Sequence, residues 1–349
     1  MPQPPAVPLP RYGEAALSDV VPSILTALDV PGYRNPLGLD ETDRVALVLI
    51  DGLGWDQLRD HAAEAPFLHA ALSTPITAGF PATTAASIAS IGTGLPPGEH
   101  GLVGYSIGRT GHDHALNVLR WTEHGGGRHG SLLDAEVPED VQPETTAFER
   151  AATAGVDVVR IAPVRQARSG LSRAALRGGR FVPVVSLGDL AAETVKAMTG
   201  GRRVLAYSYY ADLDTTGHVR GVNSDAWRLE LHNVDRLVQG IADRLPRRSL
   251  LIVTGDHGML DIARDRQVDF DATPELHHGV RYLAGEARAR HVFATRGATA
   301  DVQAAWAAVL GTRAWVATRD EAIAAGWFGP VVHPRARPRI GDVVVAAIG

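Results

Sequence analysis

The strongest constraint on the fold comes from short apolar runs that recur along the chain, with helical patterns between them. Residues 45–50 (VALVLI) form an unbroken apolar run, which Asp51 and Gly52 close. A strand without polar alternation is typical of a parallel sheet that is covered on both faces. Similar, mostly apolar runs occupy residues 156–161, 203–207, 250–253 and 343–348. The alternation predicts an α/β fold with an open, mostly parallel sheet and helices on both faces.

The segments between these runs predict helices and inserts. Apolar residues recur at helical spacing over residues 224–245 and Pro246 follows, so we expect a helix there. Residues 104–143 are rich in Gly and His, and residues 261–279 are polar and turn-like. Both segments predict loop-rich inserts over the carboxyl-terminal edge of the strands. The Pro-rich residues 1–14 predict a surface lead-in, and no flexible linker interrupts the single domain that we expect over residues 1–349.

Composition excludes several classes of function. The formal net charge of -5 argues against nucleic-acid binding through a basic surface. The absence of cysteine excludes disulfides, thiolate nucleophiles and sulfur-ligated zinc, whereas 14 His remain as metal ligands. The first residues lack the basic and apolar regions of a signal peptide, and no apolar run approaches the roughly 18 residues of a membrane span. We therefore expect a cytoplasmic protein that makes no contact with a membrane.

Acidic and His residues follow three of the apolar runs. Asp51 follows the first, Asp214 and His218 follow the run at 203–207, and Asp256-His257 follows the run at 250–253. Ligand sites in open α/β sheets form at the carboxyl ends of the strands, so these side chains can converge. Asp-Gly is also ordinary turn chemistry, and Asp212 competes with Asp214 for the ligand role. Three carboxylates and two imidazoles suit zinc, with manganese or iron as alternatives.

A Thr-rich block supplies a candidate nucleophile. Residues 80–94 read FPATTAASIASIGTG, in which small hydroxyl residues open a short helix. A helix N-terminus offers free N–H groups to an anion such as phosphate, although a Thr at this position is also a common N-cap. A Thr hydroxyl becomes an effective nucleophile when a bound dication lowers its pKa. The metal cluster therefore favours a catalytic Thr.

These motifs resemble the alkaline phosphatase superfamily, and within it the nucleotide pyrophosphatase/phosphodiesterase (type I phosphodiesterase) branch. The resemblance rests on VLIDGLG, FPATTAASIASIGTGLPPGEHGLVGY, DLDTTGH and TGDHGM, in that order. It implies an alkaline phosphatase-like fold and a small phosphate-ester or nucleotide substrate. It also implies Thr84 as the nucleophile, with Thr83 as the fallback, and a covalent phospho-threonine intermediate.

The resemblance further implies two divalent metal ions. Asp51, Thr84, Asp256 and His257 would hold one, and Asp214 and His218 would begin the other site. Ser87 stands where many members of the family use an Asn to hold phosphate, which makes it a candidate substrate contact.

The third ligand of the second metal site has no clear match. The family takes it from a His-Gly motif near the C-terminus, and we expect the chain to be a form truncated before that motif. Inside the chain, His278 precedes a Gly and is the candidate substitute. His291 and His333 are further candidates.

Other interpretations stay open at this point. A phosphomonoesterase or phosphonate hydrolase of the same superfamily is the first alternative, and a metal-poor, non-catalytic binding domain is the second. Residues 104–108 (GYSIG) spell the nucleophile elbow of a Ser hydrolase but lack the strand and helix that it needs. We interpret His100 as structural. His124 and His129 in the Gly-rich loop could touch substrate, and Arg165 and Arg168 could contact substrate phosphate, but we favour a solvated position for all four. The pattern does not predict an oligomeric state.

Overall fold

The computed structural model describes residues 4–125 and 130–348. The strands in this part of the chain are β1 (Arg44–Ile50), β2 (Ser106–Ile107), β3 (Leu116–Asn117), β4 (Thr122–Glu123), β5 (Asp157–Pro163), β6 (Arg180–Val184), β7 (Val204–Tyr210), β8 (Ser249–Thr254), β9 (Val280–Gly285), β10 (Ala289–Ala294), β11 (Ala314–Thr318) and β12 (Val343–Ala347). The α-helices are α1 (Val20–Ala27), α2 (Trp55–Asp60), α3 (Pro66–Ala70), α4 (Thr84–Thr93), α5 (Pro97–His100), α6 (Pro138–Val141), α7 (Ala147–Thr153), α8 (Gly170–Ala175), α9 (Leu187–Met198), α10 (Asp212–Arg220), α11 (Asp225–Ala242), α12 (Thr299–Leu310) and α13 (Arg319–Ala324).

The central sheet is parallel and has the order β6-β5-β7-β1-β8. This arrangement confirms the predicted α/β fold. The apolar run at residues 45–50 is β1, which lies between β7 and β8, with Val45 opposite Leu205 and Leu250. The three strands whose ends carry the acidic residues are therefore neighbours in the sheet.

Both faces of the central sheet are covered. Val45, Leu47 and Leu49 of β1 pack on one side with residues of α1, α4 and α7. Ala46, Val48 and Ile50 pack on the other side with residues of α9 and α11. Alternate side chains of β1 thus enter two separate cores, which is why the strand shows no polar alternation. The predicted helix at residues 224–245 is confirmed as α11, and the side chain of Ser224 caps its N-terminus.

A second, antiparallel sheet was not predicted. Its order is β11-β12-β10-β9-β2-β3-β4. The apolar run at residues 343–348 belongs here as β12, and its placement with the other apolar runs in the parallel sheet was wrong. Val344 faces the core of the central sheet, whereas Val343 packs in a cluster with Trp306 of α12. A strand covered on both faces has the same sequence pattern in either sheet.

The insert at residues 104–143 is more regular than a loop. It contributes β2, β3 and β4 to the second sheet, although its residues 126–129, with His129, lie outside the described residues. Ser106 of the GYSIG motif is fully buried and donates a hydrogen bond to the Gly285 carbonyl at 2.9 Å. It has no access to a substrate, which excludes the nucleophile elbow.

The Pro-rich lead-in lies against the second sheet from residue 4 onward. Trp315 Nε1 of β11 donates a hydrogen bond to the Pro5 carbonyl at 2.6 Å. Ile107 and Val344 of the second sheet share a buried cluster with Leu47 of the first, which supports the single domain that we propose. In the part of the chain that the structure describes, no helix combines the length and the apolar character needed to cross a membrane.

Candidate phosphoester and metal site

The predicted site residues meet where the central strands end. Asp51 directly follows β1, and its N–H donates to the Tyr210 carbonyl of β7 at 2.8 Å. Asp256 and His257 follow β8, and α10, which carries Asp214, begins just after β7. Adjacent strands lie about 4.8 Å apart, so residues at their ends come within contact distance.

Asp51, Asp256 and His257 form a compact group. Their ligand atoms all lie within 4.8 Å of one another. His257 Nε2 is 3.4 Å from Asp51 Oδ1 and 3.6 Å from Asp256 Oδ2. The Thr84 hydroxyl joins the group, at 3.1 Å from His257 Nε2 and 3.5 Å from Asp51 Oδ1. The structure therefore brings four predicted site residues together from three separate parts of the chain.

Hydrogen bonds fix the two buried carboxylates. Asp256 Oδ1 accepts from the N–H groups of Gly52 and His257, each at 3.0 Å. Asp256 Oδ2 is buried and accepts no hydrogen bond from the described residues. The Tyr209 hydroxyl donates to Asp51 Oδ2, which leaves Asp51 Oδ1 facing Thr84 and His257. One oxygen of each carboxylate is thus held, and the other points into the group.

The electrostatics of this group favour a cation. Burial, followed by the charges of Asp256 and Asp214, raises the pKa of Asp51 well above its usual range. Burial alone would lower the pKa of His257, but the neighbouring Asp256 and the Gly258 carbonyl outweigh it and raise the pKa overall. Buried carboxylates with an unpartnered oxygen are costly unless a positive charge compensates them. The donor set therefore fits a divalent metal ion.

Thr84 occupies the first position of α4. Thr83 precedes it as the N-cap residue with extended backbone, but its side chain makes no capping hydrogen bond. Instead, the Thr83 side chain is hydrogen-bonded to the carboxyl of Glu286, at the turn between β9 and β10. The two adjacent hydroxyls thus have different partners, and only that of Thr84 contacts His257. The first N–H groups of a helix have no intrahelical acceptor, so they remain open to an anion beside Thr84.

Asp214 and His218 form a more open pair on α10. His218 Nε2 lies 3.4 Å from Asp214 Oδ1, and the His218 side chain is 69% exposed. The Asp214 carboxylate accepts a hydrogen bond from the protonated His218 ring and so raises the pKa of His218. Asp214 Oδ1 is also 4.0 Å from His257 Nε2, which connects this pair to the Thr84 group.

Two local features single out Asp214. The competing residue, Asp212, forms no ion pair with His218 in the described chain, whereas Asp214 does. Gly52 has φ of +75°, and a Cβ there would lie 3.0 Å from the Cβ of Asp214. A glycine at position 52 therefore allows α10 to approach β1 closely.

His278 does not reach the site. It is exposed at the start of β9, whereas Glu286, which contacts Thr83, follows the other end of that strand. Eight residues of extended chain span about 25 Å, so His278 lies far from Asp214 and His218. No ion pair joins His278 to Asp214 or His218 in the described chain, and its role as a third ligand stays a prediction.

The other His candidates have structural partners. His291 is buried, contacts the Val103 carbonyl at 2.9 Å and accepts from the Gly341 N–H at 3.1 Å. Burial lowers its pKa to about 4. His100 is likewise buried, contacts Ser90 Oγ at 3.2 Å and has its pKa lowered by burial to about 3. His333 lies beside Glu99, away from the carboxylates of the site.

Ser87 is not placed against a substrate. Its side chain is fully buried, and its hydroxyl has no hydrogen-bond partner among the described residues. Ser87 does not line the pocket beside Thr84, and the substrate contact that the resemblance implies for it stays a prediction.

A pocket of about 320 Å³ opens from Thr84. Its reactive end is lined by Asp51, Thr84, Tyr209 and Asp214. Apolar side chains form its walls, namely Ile88, Leu119, Leu171 and Leu176. Polar residues line the remainder: Arg165, Gln166, Ser169 and Ser172.

Sequence reasoning missed two residues that contact this site, Tyr209 and Glu286. It favoured a solvated position for a third, Arg165, which the structure places in the pocket lining. Tyr209 lies near the end of β7, and its position before the acidic residues is the one sequence feature that could have indicated a role at the site. Glu286 follows a Gly in a turn, which gives no functional signal.

The family model of type I phosphodiesterase / nucleotide pyrophosphatase matches residues 45–348. The chain belongs to this family. The match covers the central sheet, the Thr84 group and the second sheet together. The family assignment thus agrees with the resemblance that the motifs indicated.

Two curated sequence relatives match this chain over a short stretch. The catalytic subunits of GPI ethanolamine phosphate transferase 3 from Mus musculus and Homo sapiens are each 32% identical over 62 residues. That stretch is 18% of this chain and 6% of either relative. The chain thus matches only a small fraction of the length of these relatives.

Solved structures show the same fold. Murine ectonucleotide pyrophosphatase / phosphodiesterase 5 in complex with AMP has a TM-score of 0.64 at 21% identity, over 87% of this chain and 78% of that chain. Phosphonoacetate hydrolase from Sinorhizobium meliloti 1021 in complex with phosphonoformate has a TM-score of 0.62 at 17% identity, over 88% of this chain and 81% of that chain. At these identities, the likeness concerns the fold alone.

Proposed function

We propose that this protein is a metal-dependent hydrolase of phosphoric esters, a phosphodiesterase or nucleotide pyrophosphatase, which acts through a covalent phospho-threonine at Thr84. The observation that carries the proposal is the position of the Thr84 hydroxyl. It lies at the N-terminus of α4, 3.1 Å from His257 Nε2 and 3.5 Å from Asp51 Oδ1, beside a three-residue group that suits a metal ion.

Two displacements at phosphorus account for hydrolysis. In the first, Thr84 Oγ1 bonds to phosphorus and the bond to the leaving oxygen breaks, while the hydroxyl proton passes through solvent to the leaving oxygen. In the second, a water oxygen bonds to phosphorus and the bond to Thr84 Oγ1 breaks, which restores the hydroxyl. The open N–H groups at the start of α4 can donate to a non-bridging oxygen as charge develops there.

Metal ions would be held by residues already described. Asp51, Thr84, Asp256 and His257 would hold one ion, and Asp214 and His218 would contribute to the second. Zinc is the ion that we propose, with manganese or iron as alternatives, because the ligands are carboxylates and imidazoles without sulfur. Bound dications neutralise charge on the entering and leaving oxygens and lower the pKa of the nucleophile.

The test is Thr84→Ala with a chromogenic aryl phosphodiester. We expect turnover to fall on the order of 10⁴-fold, because the variant lacks the atom that bonds to phosphorus. The metal content and thermal unfolding of the variant should match those of the unaltered protein, and Thr83→Ala, which removes the adjacent hydroxyl, should lower turnover far less. Full turnover in Thr84→Ala would contradict the nucleophile assignment.

Two further measurements separate the remaining functions. Relative rates on bis-aryl and mono-aryl phosphates distinguish a diesterase from a phosphomonoesterase. A protein that binds no metal and hydrolyses neither substrate would instead be the metal-poor binding domain. Activity that survives chelation would contradict the metal dependence.

A further inference from the structure

The pocket beside Thr84 extends away from the carboxylates towards a cationic side chain. Arg165 lines it together with Gln166 and Ser169, in the segment between β5 and α8. The Thr84 hydroxyl lines the same pocket. A substrate phosphoryl group placed at Thr84 would therefore have its remaining part directed along a space that Arg165 borders.

Arg165 forms no ion pair with another described residue of the protein. Among the described residues, no carboxylate forms a salt bridge with its guanidinium. By contrast, Arg173 on α8 pairs with Glu139 at 2.7 Å, and Arg177 just after α8 pairs with Glu149 at 3.3 Å. The neighbouring arginines thus stabilise the fold. The Arg165 guanidinium instead keeps its donors for a group that enters the pocket.

The pocket walls increase the effect of this charge. Leu119, Leu171 and Leu176 line the pocket and present apolar surface to it. An ion pair strengthens as water is excluded from it, because the local dielectric falls. Arg165 is itself exposed, so its attraction for an anion strengthens only where the bound substrate displaces water from this end of the pocket.

We propose that Arg165 forms an anion subsite for a second negatively charged group of the substrate. This inference rests on the proposed function and specifies its substrate class. The substrate is a small phosphoric ester or anhydride with a terminal phosphoryl or carboxylate group beyond the scissile phosphorus. The pocket of about 320 Å³ lies at the small end of ligand sites, in agreement with a compact substrate. The planar guanidinium forms paired hydrogen bonds with either anion.

The test is calorimetric binding of three probes to the metal-loaded protein. Methylphosphonate carries no second anionic group, phosphonoacetate adds a carboxylate, and methylenediphosphonate adds a phosphonate. We expect the unaltered protein to prefer at least one of the two bifunctional probes over methylphosphonate by about 10- to 100-fold, the usual strength of a charged hydrogen bond. The preferred probe identifies the second group as carboxylate or phosphoryl.

Substitutions locate the source of that preference. Arg165→Ala should abolish the preference and leave methylphosphonate affinity within about twofold, and Arg165→Lys should retain part of the preference because only the bidentate geometry is lost. Arg168→Ala is the matched control, since Arg168 is exposed, as Arg165 is, but does not line the pocket. A preference that survives Arg165→Ala, an equal loss for all three probes, or no preference in the unaltered protein would each overturn the subsite.

Failure of this inference differs from failure of the proposed function. Thr84-dependent hydrolysis of an aryl phosphodiester without any effect of Arg165 on binding overturns only the subsite. An Arg165-dependent preference in a protein that hydrolyses no phosphoric ester supports the subsite and overturns the hydrolase.

Discussion

The Thr84 group and the Asp214–His218 pair lie at the same sheet edge, yet they differ in how tightly the fold holds them. In the Thr84 group, the Asp256 side chain is fully buried, and the His257 side chain is 11% exposed. In the other pair, Asp214 is 16% exposed and His218 is 69% exposed. The first group follows strands of the central sheet, whereas the second lies on α10.

The Thr84 group and the Asp214–His218 pair are held in place by different kinds of contact. Strand ends are fixed by their neighbours in the ladder, and backbone N–H groups hold the Asp256 carboxylate. His218 lies on a helix, and its side chain contacts the Asp214 carboxylate. We therefore expect the Thr84 group to be preformed, whereas ligand binding would order the His218 side chain. The following substitutions test this comparison.

Asp256→Asn should have the largest effect. The amide oxygen can still accept from Gly52 and His257, but the amide nitrogen replaces the unpartnered oxygen that a metal ion would need. We expect activity to fall on the order of 10³-fold, beyond the effect of losing an outer-shell partner. The metal-free variant should unfold at a higher temperature than the metal-free parent, because one of the clustered buried charges is removed. Thermal unfolding in chelator that shows no such rise would indicate that these carboxylates do not repel one another.

His218→Ala should affect metal content without affecting the fold. The side chain is mostly exposed, so the free energy of unfolding should change by less than about 0.5 kcal/mol. Activity should fall about 100-fold, and bound metal should decrease from two ions to one. His278→Ala is the control and should match the parent. Retention of two ions by His218→Ala would show that the open half does not hold metal through this residue.

Tyr209→Phe should have an intermediate effect on the buried half. The substitution removes the donor to Asp51 Oδ2 and leaves that oxygen buried without a partner. An unmade buried hydrogen bond costs about 1–3 kcal/mol, and loss of an outer-shell partner weakens metal affinity by about tenfold or more. Titration of the first metal ion measures this effect. Unchanged affinity would show that Asp51 is oriented without Tyr209.

Glu286→Gln should have the smallest effect. The amide oxygen can still accept from Thr83, so the start of α4 keeps this link to the second sheet. We expect a change of about two- to threefold in kcat/KM, because only a partly screened charge near His257 is removed. Glu286→Ala, which removes the acceptor, should reduce kcat/KM further. Equal effects of the two variants would show that the hydrogen bond to Thr83 does not position the helix.

Local sequence patterns predicted the parts of this protein that depend on neighbouring residues. Unbroken apolar runs predicted β1, β5, β7 and β8 because both faces of a parallel sheet are covered. Polar residues that follow three of these runs predicted which side chains share an edge. The choice of Thr84 over Thr83 as the nucleophile came from family spacing and stays a proposal.

The tertiary structure decided how these parts meet. Strand order places β1 between β7 and β8, and no local period encodes that order. The apolar run of β12 fits either sheet for the same reason, and this is why its sheet was predicted wrongly. Tyr209, Glu286 and Arg165 reach the site through contacts that span many residues of chain, since folding brings together side chains whose separation in sequence carries no signal. Sequence alone thus determined the chemistry available at the sheet edge, whereas long-range packing determined which half is buried and what faces the pocket.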